Sequence, residues 1–299
     1  MNYQTPAALE NAVKDAAKNS DMDTGRAIVL FWWDRFLARV FSSDHPEFVL
    51  KGGLSMLARM STRYTKDVDL AAAEMNIESA QKRLVELATV NLNDFFRFDF
   101  LGEEPITVED DYRDGKRISF SVTIGAQRKG EIKVDLVVGC TPIGEAEKII
   151  PSHQLKIKGL EPTEYYLYPT VDTMADKISA TLSMYPDGKS SSRVKDLSDL
   201  ILIATTTQID AATLGAAIKG ETSQRAIKAV TEFAVPDSWK VLPLSTKYQK
   251  LAEEAGLAKS LYDVLAAERL IANMIDPILS GKISEGVWNP DTLEWMEAN

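Results

Sequence analysis

Apolar and polar positions alternate with two different periods along this chain. Residues 7–18 read as a polar helix, followed by a loop through 19–25. The segment RAIVLFWWDRFLARVF then sets Val29, Trp33, Phe36, Leu37 and Val40 at helical spacing, which predicts a buried helix packed on a core. Asp44, His45 and Pro46 break it. Phe48, Val49 and Leu50 predict a short buried strand that Lys51-Gly52-Gly53 ends, and a helix restarts over 54–59. A turn and a strand, Asp67-Val68-Asp69-Leu70, fill 61–70, and an amphipathic helix follows over 77–92. Between Phe96 and Val138 the period becomes two. Residues 117–124 and 131–138 alternate, with Arg128-Lys129-Gly130 as the predicted hairpin turn between them.

Helical patterns dominate from Val171 to the end, with breaks near 186–192, Gly220, 236–243 and Gly256. The predicted fold class is therefore α+β and bilobed. An α/β lobe spans residues 1–155, and a helical C-terminal lobe spans 156–299. Trp288 and Trp295 are expected to anchor the C-terminal tail. No internal repeat is visible.

Composition narrows the function classes. With 45% hydrophobic and 26% charged residues, the chain can bury a sizeable core. No stretch reaches the roughly 18–20 apolar residues of a membrane span, and the opening MNYQTPAALENAVKDAAK has no apolar signal core. A cytoplasmic, membrane-free protein is expected. Cys140 is the one cysteine and His45 and His153 the two histidines, so disulfides and zinc sites rich in Cys or His are excluded. The net charge is −10, spread along the chain, and no basic half announces a nucleic-acid ligand.

Candidate chemistry concentrates in KGGLSMLARMSTRYTKDVDL, residues 51–70. On a strand, Asp67 and Asp69 share a face and repel unless a cation lies between them, a role suited to Mg²⁺. Asp135, in the strand Ile132-Lys133-Val134-Asp135-Leu136, is placed to supply a third metal-binding carboxylate. Gly52 and Gly53, between a strand and a helix, let backbone N–H groups approach a phosphate. Together these are the equipment of metal-assisted phosphoryl transfer. The same residues also fit a solvated turn and an ordinary edge strand. Asp21-Met22-Asp23 repeats the spacing in a loop without apolar flanks.

Phe48-Val49-Leu50-Lys51-Gly52-Gly53 followed by Arg63-x-Thr65-x-Asp67-Val68-Asp69-Leu70 resembles the AbiEii/AbiGii nucleotidyltransferase toxins, which include the mycobacterial MenT toxins. Ala175-Asp176-Lys177-Ile178 and Arg193-Val194-Lys195-Asp196-Leu197-Ser198-Asp199-Leu200 resemble the later motifs of that family. The resemblance implies a DNA polymerase β-like lobe with a mixed sheet. It also implies transfer of a nucleoside monophosphate from an NTP to an acceptor, with Mg²⁺ as cofactor. The 3′ end of tRNA is the expected acceptor, which would block translation, within a toxin–antitoxin or abortive-infection pair whose antitoxin is a further partner. Carried over, Asp67, Asp69 and Asp135 hold metal and activate the acceptor, while Lys51, Gly52, Gly53 and Arg63 line the triphosphate. Lys177 neutralises phosphate charge and Asp199 completes the site. Thr65, two residues before Asp67, is a candidate point of regulation by phosphorylation.

Competing readings attach to several of these residues. Lys177 also fits a surface lysine, Asp199 an exposed pair with Lys195, and Asp196 a helix-start charge. Thr65 also fits a hydroxyl bonded to local backbone. Lys66, Arg113, Lys116, Arg117, Arg128, Lys129 and Lys133, with Tyr112 and Phe120, read either as an RNA track or as a hairpin screened by Asp110, Asp111, Asp114 and Glu131. A small-molecule acceptor of the aminoglycoside kind, a protein hydroxyl, or a non-catalytic binding module are the alternatives.

Overall fold

The computed structural model describes residues 3–43, 46–60, 65, 67–106, 114–184, 190–227 and 230–297. The readings of Asp44, His45, Arg63, Lys66, Asp110, Asp111, Tyr112 and Arg113 lie outside the described residues. The chain divides into two compact units. Met1–Thr141 with Ala146–Tyr168 form the first, and Pro142–Glu145 with Pro169–Asn299 the second. Contacts thus change hands at 168/169, whereas the sequence pattern sets the change at 155/156, because two short strands after Pro142 carry too few residues to show a period.

The first unit opens with helices α1 (Pro6–Lys18) and α2 (Thr24–Val40). Thr5 and Asp23 cap them by accepting the N–H of Ala8 and Arg26, at 3.2 and 2.9 Å. Asp23, half of the second Asp-x-Asp pair, is therefore a helix cap. There follow β1 (Val49–Lys51), α3 (Gly52–Met60), β2 (Val68–Ala72), α4 (Ile77–Ala88), β3 (Phe96–Pro105), β4 (Gly115–Ile124), β5 (Gln127–Val138), β6 (Glu147–Ile149) and β7 (Tyr165–Leu167). Among the described residues the sheet runs β3-β4-β5-β2-β1-β7-β6. It is mixed: β2 lies parallel to β5 and β1 parallel to β7, while β1–β2, β3–β4, β4–β5 and β6–β7 are antiparallel.

One hairpin differs from expectation. The β4–β5 turn falls at Gly125-Ala126, and Arg128, Lys129 and Gly130 belong to β5. Gly125 adopts φ 61°, the left-handed conformation a tight turn requires. The core joins Leu9, Leu30, Trp33, Phe36, Leu37 and Val40 of the first two helices to Phe98, Phe120, Val134, Leu136, Tyr165 and Leu167 of the sheet. Each such side chain contributes about 1.5–3 kcal/mol on burial.

Helix α2 also buries charge that its apolar pattern conceals. Asp34, Arg35 and Arg39 are all buried. Arg39 grips Asp94 with two nitrogens at 2.7 and 3.1 Å and donates to the Phe96 carbonyl at 3.0 Å. Arg35 Nε reaches the same carboxylate at 2.8 Å. Burial pushes the Asp94 carboxyl up, but the two guanidinium groups outweigh it and hold it below the ordinary carboxylate range. On the same helix Asp34 accepts the Tyr165 hydroxyl of β7, and burial pushes its carboxyl up to about 7.

The second unit contains α5 (Thr170–Leu182), α6 (Lys195–Ala204), β8 (Ile209–Asp210), α7 (Ala211–Gln224), α8 (Leu244–Glu254), α9 (Val264–Leu279), β9 (Val287–Asn289) and β10 (Glu294–Met296). It is mainly helical, and among the described residues it holds a three-stranded sheet ordered β10-β9-β8. Gly220 does not break α7, which runs through it. Asp172 of α5 ties residues 142–145 to this unit by accepting the N–H groups of Ile143 and Gly144, both at 2.8 Å. Trp288 and Trp295 donate to the carbonyls of Ala204 and Met274 at 2.7 and 2.9 Å, which anchors the C-terminal strands. Among the described residues no helix is long and apolar enough to cross a membrane.

Replacing Asp94 by Ala leaves two buried guanidinium groups without their carboxylate. A loss of about 3–5 kcal/mol in urea-unfolding free energy is expected; an unchanged midpoint would show that apolar contacts alone hold α2 to the sheet.

Candidate active site

Four adjacent strands bring one residue each into a single row across the sheet. Lys51 of β1 is the register partner of Asp69 on β2, Asp69 of Asp135 on β5, and Asp135 of Arg117 on β4. The row reads plus, minus, minus, plus. Register partners on neighbouring strands point to one face with Cβ atoms about 4.5–5.5 Å apart. Asp69 and Asp135 thus stand side by side, and Asp67, two residues before Asp69, belongs to the same approach.

Each member of the row is held differently. Arg117 forms a two-pronged pair with Asp135, Nε to Oδ1 at 2.6 Å and a second nitrogen to Oδ2 at 2.7 Å. That hydrogen bond, with the charges of Asp135 and Asp67, raises the Arg117 pKa further above its ordinary value. Asp69 accepts the Gly53 N–H at 3.3 Å. Burial pushes the Asp69 carboxyl up to about 6, the Asp135 and Asp67 charges add to that, and the Gly53 N–H and Lys51 oppose it. The Lys51 ammonium lies 4.1 Å from the centre of the Tyr168 ring and 3.6 Å from the Cys140 sulfur.

The two glycines are dictated by these neighbours. Gly52 ends β1 with φ 60°, and a Cβ there would stand 2.0 Å from Asp69 Oδ2. A Cβ on Gly53 would stand 2.5 Å from Thr65 Oγ1. Neither position admits alanine without displacing a side chain of the site. Thr65 Oγ1 donates to the Asp67 carbonyl at 3.2 Å, the local backbone bond that a threonine at this spacing favours. Helix α3 begins at Gly52 itself, earlier than the apolar pattern shows, so its free N–H groups open beside Asp69.

Does this donor set fit a hard divalent cation? Among the described residues no group of three or more acidic, His or Cys side chains is gathered in metal-holding geometry. Asp135 is turned onto Arg117 instead. Yet the donors are hard carboxylate oxygens, and burial first, with the Asp135 and Asp67 charges after it, makes the ionised form of Asp69 costly. The chemistry of the donor set fits such an ion.

Lys177 and Asp199 lie in the second unit, and neither is at a surface. Lys177 on α5 reaches Asp196 Oδ1 at 2.9 Å and Asp199 Oδ2 at 2.6 Å, all three side chains being buried. Arg193 Nε adds a contact to Asp196 Oδ2 at 2.7 Å. Burial raises the Asp196 carboxyl, but Lys177 and Arg193 outweigh it and the net direction is down. The readings of Lys177 as a surface lysine and of Asp199 as an exposed partner of Lys195 are therefore replaced by a buried ion cluster. Asp196 does stand in the first turn of α6, as a helix-start charge would, and is also a member of that cluster. The stripe Val194, Leu197, Ile201 and Ala204 is buried as predicted, but α6 is enclosed on its other faces too, so both aspartates need the cations they have.

The basic residues of the β4–β5 hairpin are engaged locally. Lys116 pairs with Glu103 at 2.9 Å, Arg128 with Glu131 at 2.5 Å and Lys129 with Glu10 at 2.8 Å. With Arg117 on Asp135, four of the cations named in the two readings are paired, Glu131 being the one screening acid of the sequence reading among their partners.

Comparison with known proteins adds a name to this geometry. A family model described as the nucleotidyl transferase AbiEii toxin of type IV toxin–antitoxin systems matches residues 35–288, which include every site residue discussed above. Among solved structures, the chain is similar to MenT4, a nucleotidyltransferase toxin from Mycobacterium tuberculosis H37Rv. The identity is 17% and the TM-score 0.46, with 93% of this chain and 99% of that one covered. A search of curated protein sequences returned no match. With 254 consecutive positions matched by the family model, from Arg35 to Trp288, the chain belongs to the AbiEii family of nucleotidyl transferase toxins.

Proposed function

We propose that this toxin is an Mg²⁺-dependent nucleotidyltransferase that moves a nucleoside monophosphate from an NTP to the 3′ end of tRNA and so stops translation. The observation that carries the reading is the pairing of Asp69 with Asp135 on parallel strands beside the Gly52-Gly53 turn. Asp67 and Asp69, with Asp135, would hold the cation, which when bound supplies charge stabilisation at the reacting phosphate. Gly52, Gly53 and the N–H groups of α3 would meet the triphosphate without a side chain in the way. Asp135 would accept the proton of the acceptor hydroxyl as the new O–P bond forms at the α-phosphate and pyrophosphate leaves. Lys51 and Arg63 would add positive charge along the triphosphate. The roles of Lys177 as a phosphate cation and of Asp199 in completing the site are carried over from the family resemblance alone; within their own unit both belong to the buried cluster with Asp196.

A second acceptor class has an observation in its favour. The hairpin's cations are paired with nearby carboxylates and the chain carries net charge −10, which suits a cationic small molecule better than RNA. A purely non-catalytic binding role fits poorly, because clustered carboxylates destabilise a site that never takes a cation.

A transfer assay with each α-³²P-labelled NTP, Mg²⁺ and total tRNA tests the reading. Label is expected on tRNA, with Asp69→Ala lowering the rate on the order of a hundredfold or more, as removal of a metal ligand forfeits several kcal/mol of stabilisation. Label on no RNA would transfer the proposal to the small-molecule or protein acceptor. Equal rates for both proteins would remove Asp69 from the site.

Thr65 stands between Gly53 and Asp67, so a phosphate there would add about −1.5 to −2 charges beside the carboxylates. We propose it as a point of control by the antitoxin partner. Thr65→Glu is expected to lose at least about tenfold in transfer rate through like-charge repulsion at the triphosphate, while Thr65→Val keeps most of it. Full activity in the glutamate variant would exclude this control point.

A further inference from the structure

The row Lys51, Asp69, Asp135, Arg117 is electrically balanced before any cation enters. Two formal positive charges flank two negative ones. A divalent ion arriving at Asp69 and Asp135 brings two further positive charges into a row that already has its complement. Asp67 adds a third carboxylate at the approach, and Arg117 is the resident cation that stands between Asp135 and a metal. Its fork occupies both oxygens of Asp135, at 2.6 and 2.7 Å, and no lone pair facing that fork is open to a metal. This also accounts for the carboxylates not being gathered in metal-holding geometry.

The position of Arg117 makes an exchange feasible. Its side chain is 30% exposed and that of Asp135 19%, so neither is locked in the core as Arg39 and Asp94 are, at 1% each. A partly exposed pair is broken at far smaller cost than a buried one. A guanidinium fork matches a phosphate as it matches a carboxylate, with two parallel N–H bonds. The incoming nucleotide supplies the anion that the released fork needs.

Resting on the reading of the site as a metal-dependent nucleotidyltransferase, we propose that Arg117 is a positioning residue that holds Asp135 in the nucleotide-free protein. It then moves from Asp135 to the triphosphate when metal and NTP enter together. The exchange couples metal uptake to nucleotide uptake: metal alone must compete with Arg117, whereas metal with nucleotide gives Arg117 a new partner. Without nucleotide, the protein therefore resists loading with metal alone.

The test is a pair of affinities measured on the full chain. Mn²⁺ binding without nucleotide is followed by the EPR signal of free Mn²⁺, and NTP dependence by the KM of transfer. Arg117→Gln is expected to bind Mn²⁺ several-fold more tightly than the unsubstituted protein. Its KM for NTP is expected to rise on the order of tenfold, the loss of one charge-assisted contact. Opposite signs are the signature, because a residue that merely supports the sheet would weaken both. Arg117→Lys, which keeps the charge and loses the fork, is expected between the two and guards against a misfolded glutamine variant. If both affinities fall together, or neither changes, the proposal is overturned. Failure of the underlying reading looks different: Mn²⁺ then does not bind the unsubstituted protein even with NTP present, or binds Asp69→Ala equally well.

Discussion

Two carboxylates forced side by side by a parallel strand pairing are the constraint around which the first unit is organised. Asp69 and Asp135 have no freedom to separate, because β2 and β5 are held in register over five consecutive pairs, from Val68 with Val134 to Ala72 with Val138. Like charges at such a spacing destabilise a sheet. The neighbouring residues can be read as the response. Arg117 and Lys51 flank the pair, Gly53 offers an N–H to Asp69, and Gly52 omits the side chain that would collide with it. Leu70 and Leu136, one position further along, point to the opposite face and are buried in the core. Two acids kept side by side in this way are what the proposed cation site rests on.

The surrounding architecture makes that pairing rigid. Apolar side chains of α2 cover one face of the sheet, and the Arg35 and Arg39 grip on Asp94 fixes the helix to the start of β3. Tyr165 bonded to Asp34 ties the same helix to β7. The acids of this scaffold are enclosed and partnered. Those of the candidate site are only partly buried. In the second unit Lys177 of α5 is enclosed between Asp196 and Asp199 of α6.

Much of this was legible in the residues, and what was hidden has identifiable causes. Asp67, Asp69 and the glycine pair stand out because the strand–Gly-Gly–helix pattern is local. Asp135 could be placed because its strand alternates cleanly. The partnership of Arg117 with Asp135 was not legible, since register depends on where the chain turns. A turn centred on Lys129 sets Arg117 opposite Thr141, while the actual turn at Gly125-Ala126, together with a one-residue register shift between Val122 and Thr123, sets it opposite Asp135. Both candidate turns contain a glycine, and periodicity alone does not choose between them. The burial of Lys177 and Asp199 was hidden for another reason: a helix enclosed on all sides shows no polar face, so its charged residues look like surface ones. Strands of two or three residues, such as β6, β7 and β8, are too short to carry a period at all.

The most direct test of the central claim is anomalous scattering from Mn²⁺ in crystals grown with a non-hydrolysable NTP. The account predicts a peak within direct coordination distance of the Asp67 and Asp69 carboxylates, with Asp135 turned toward it and away from Arg117. A peak elsewhere, or none while nucleotide is clearly bound, would contradict the claim that this row of charges exists to receive a metal.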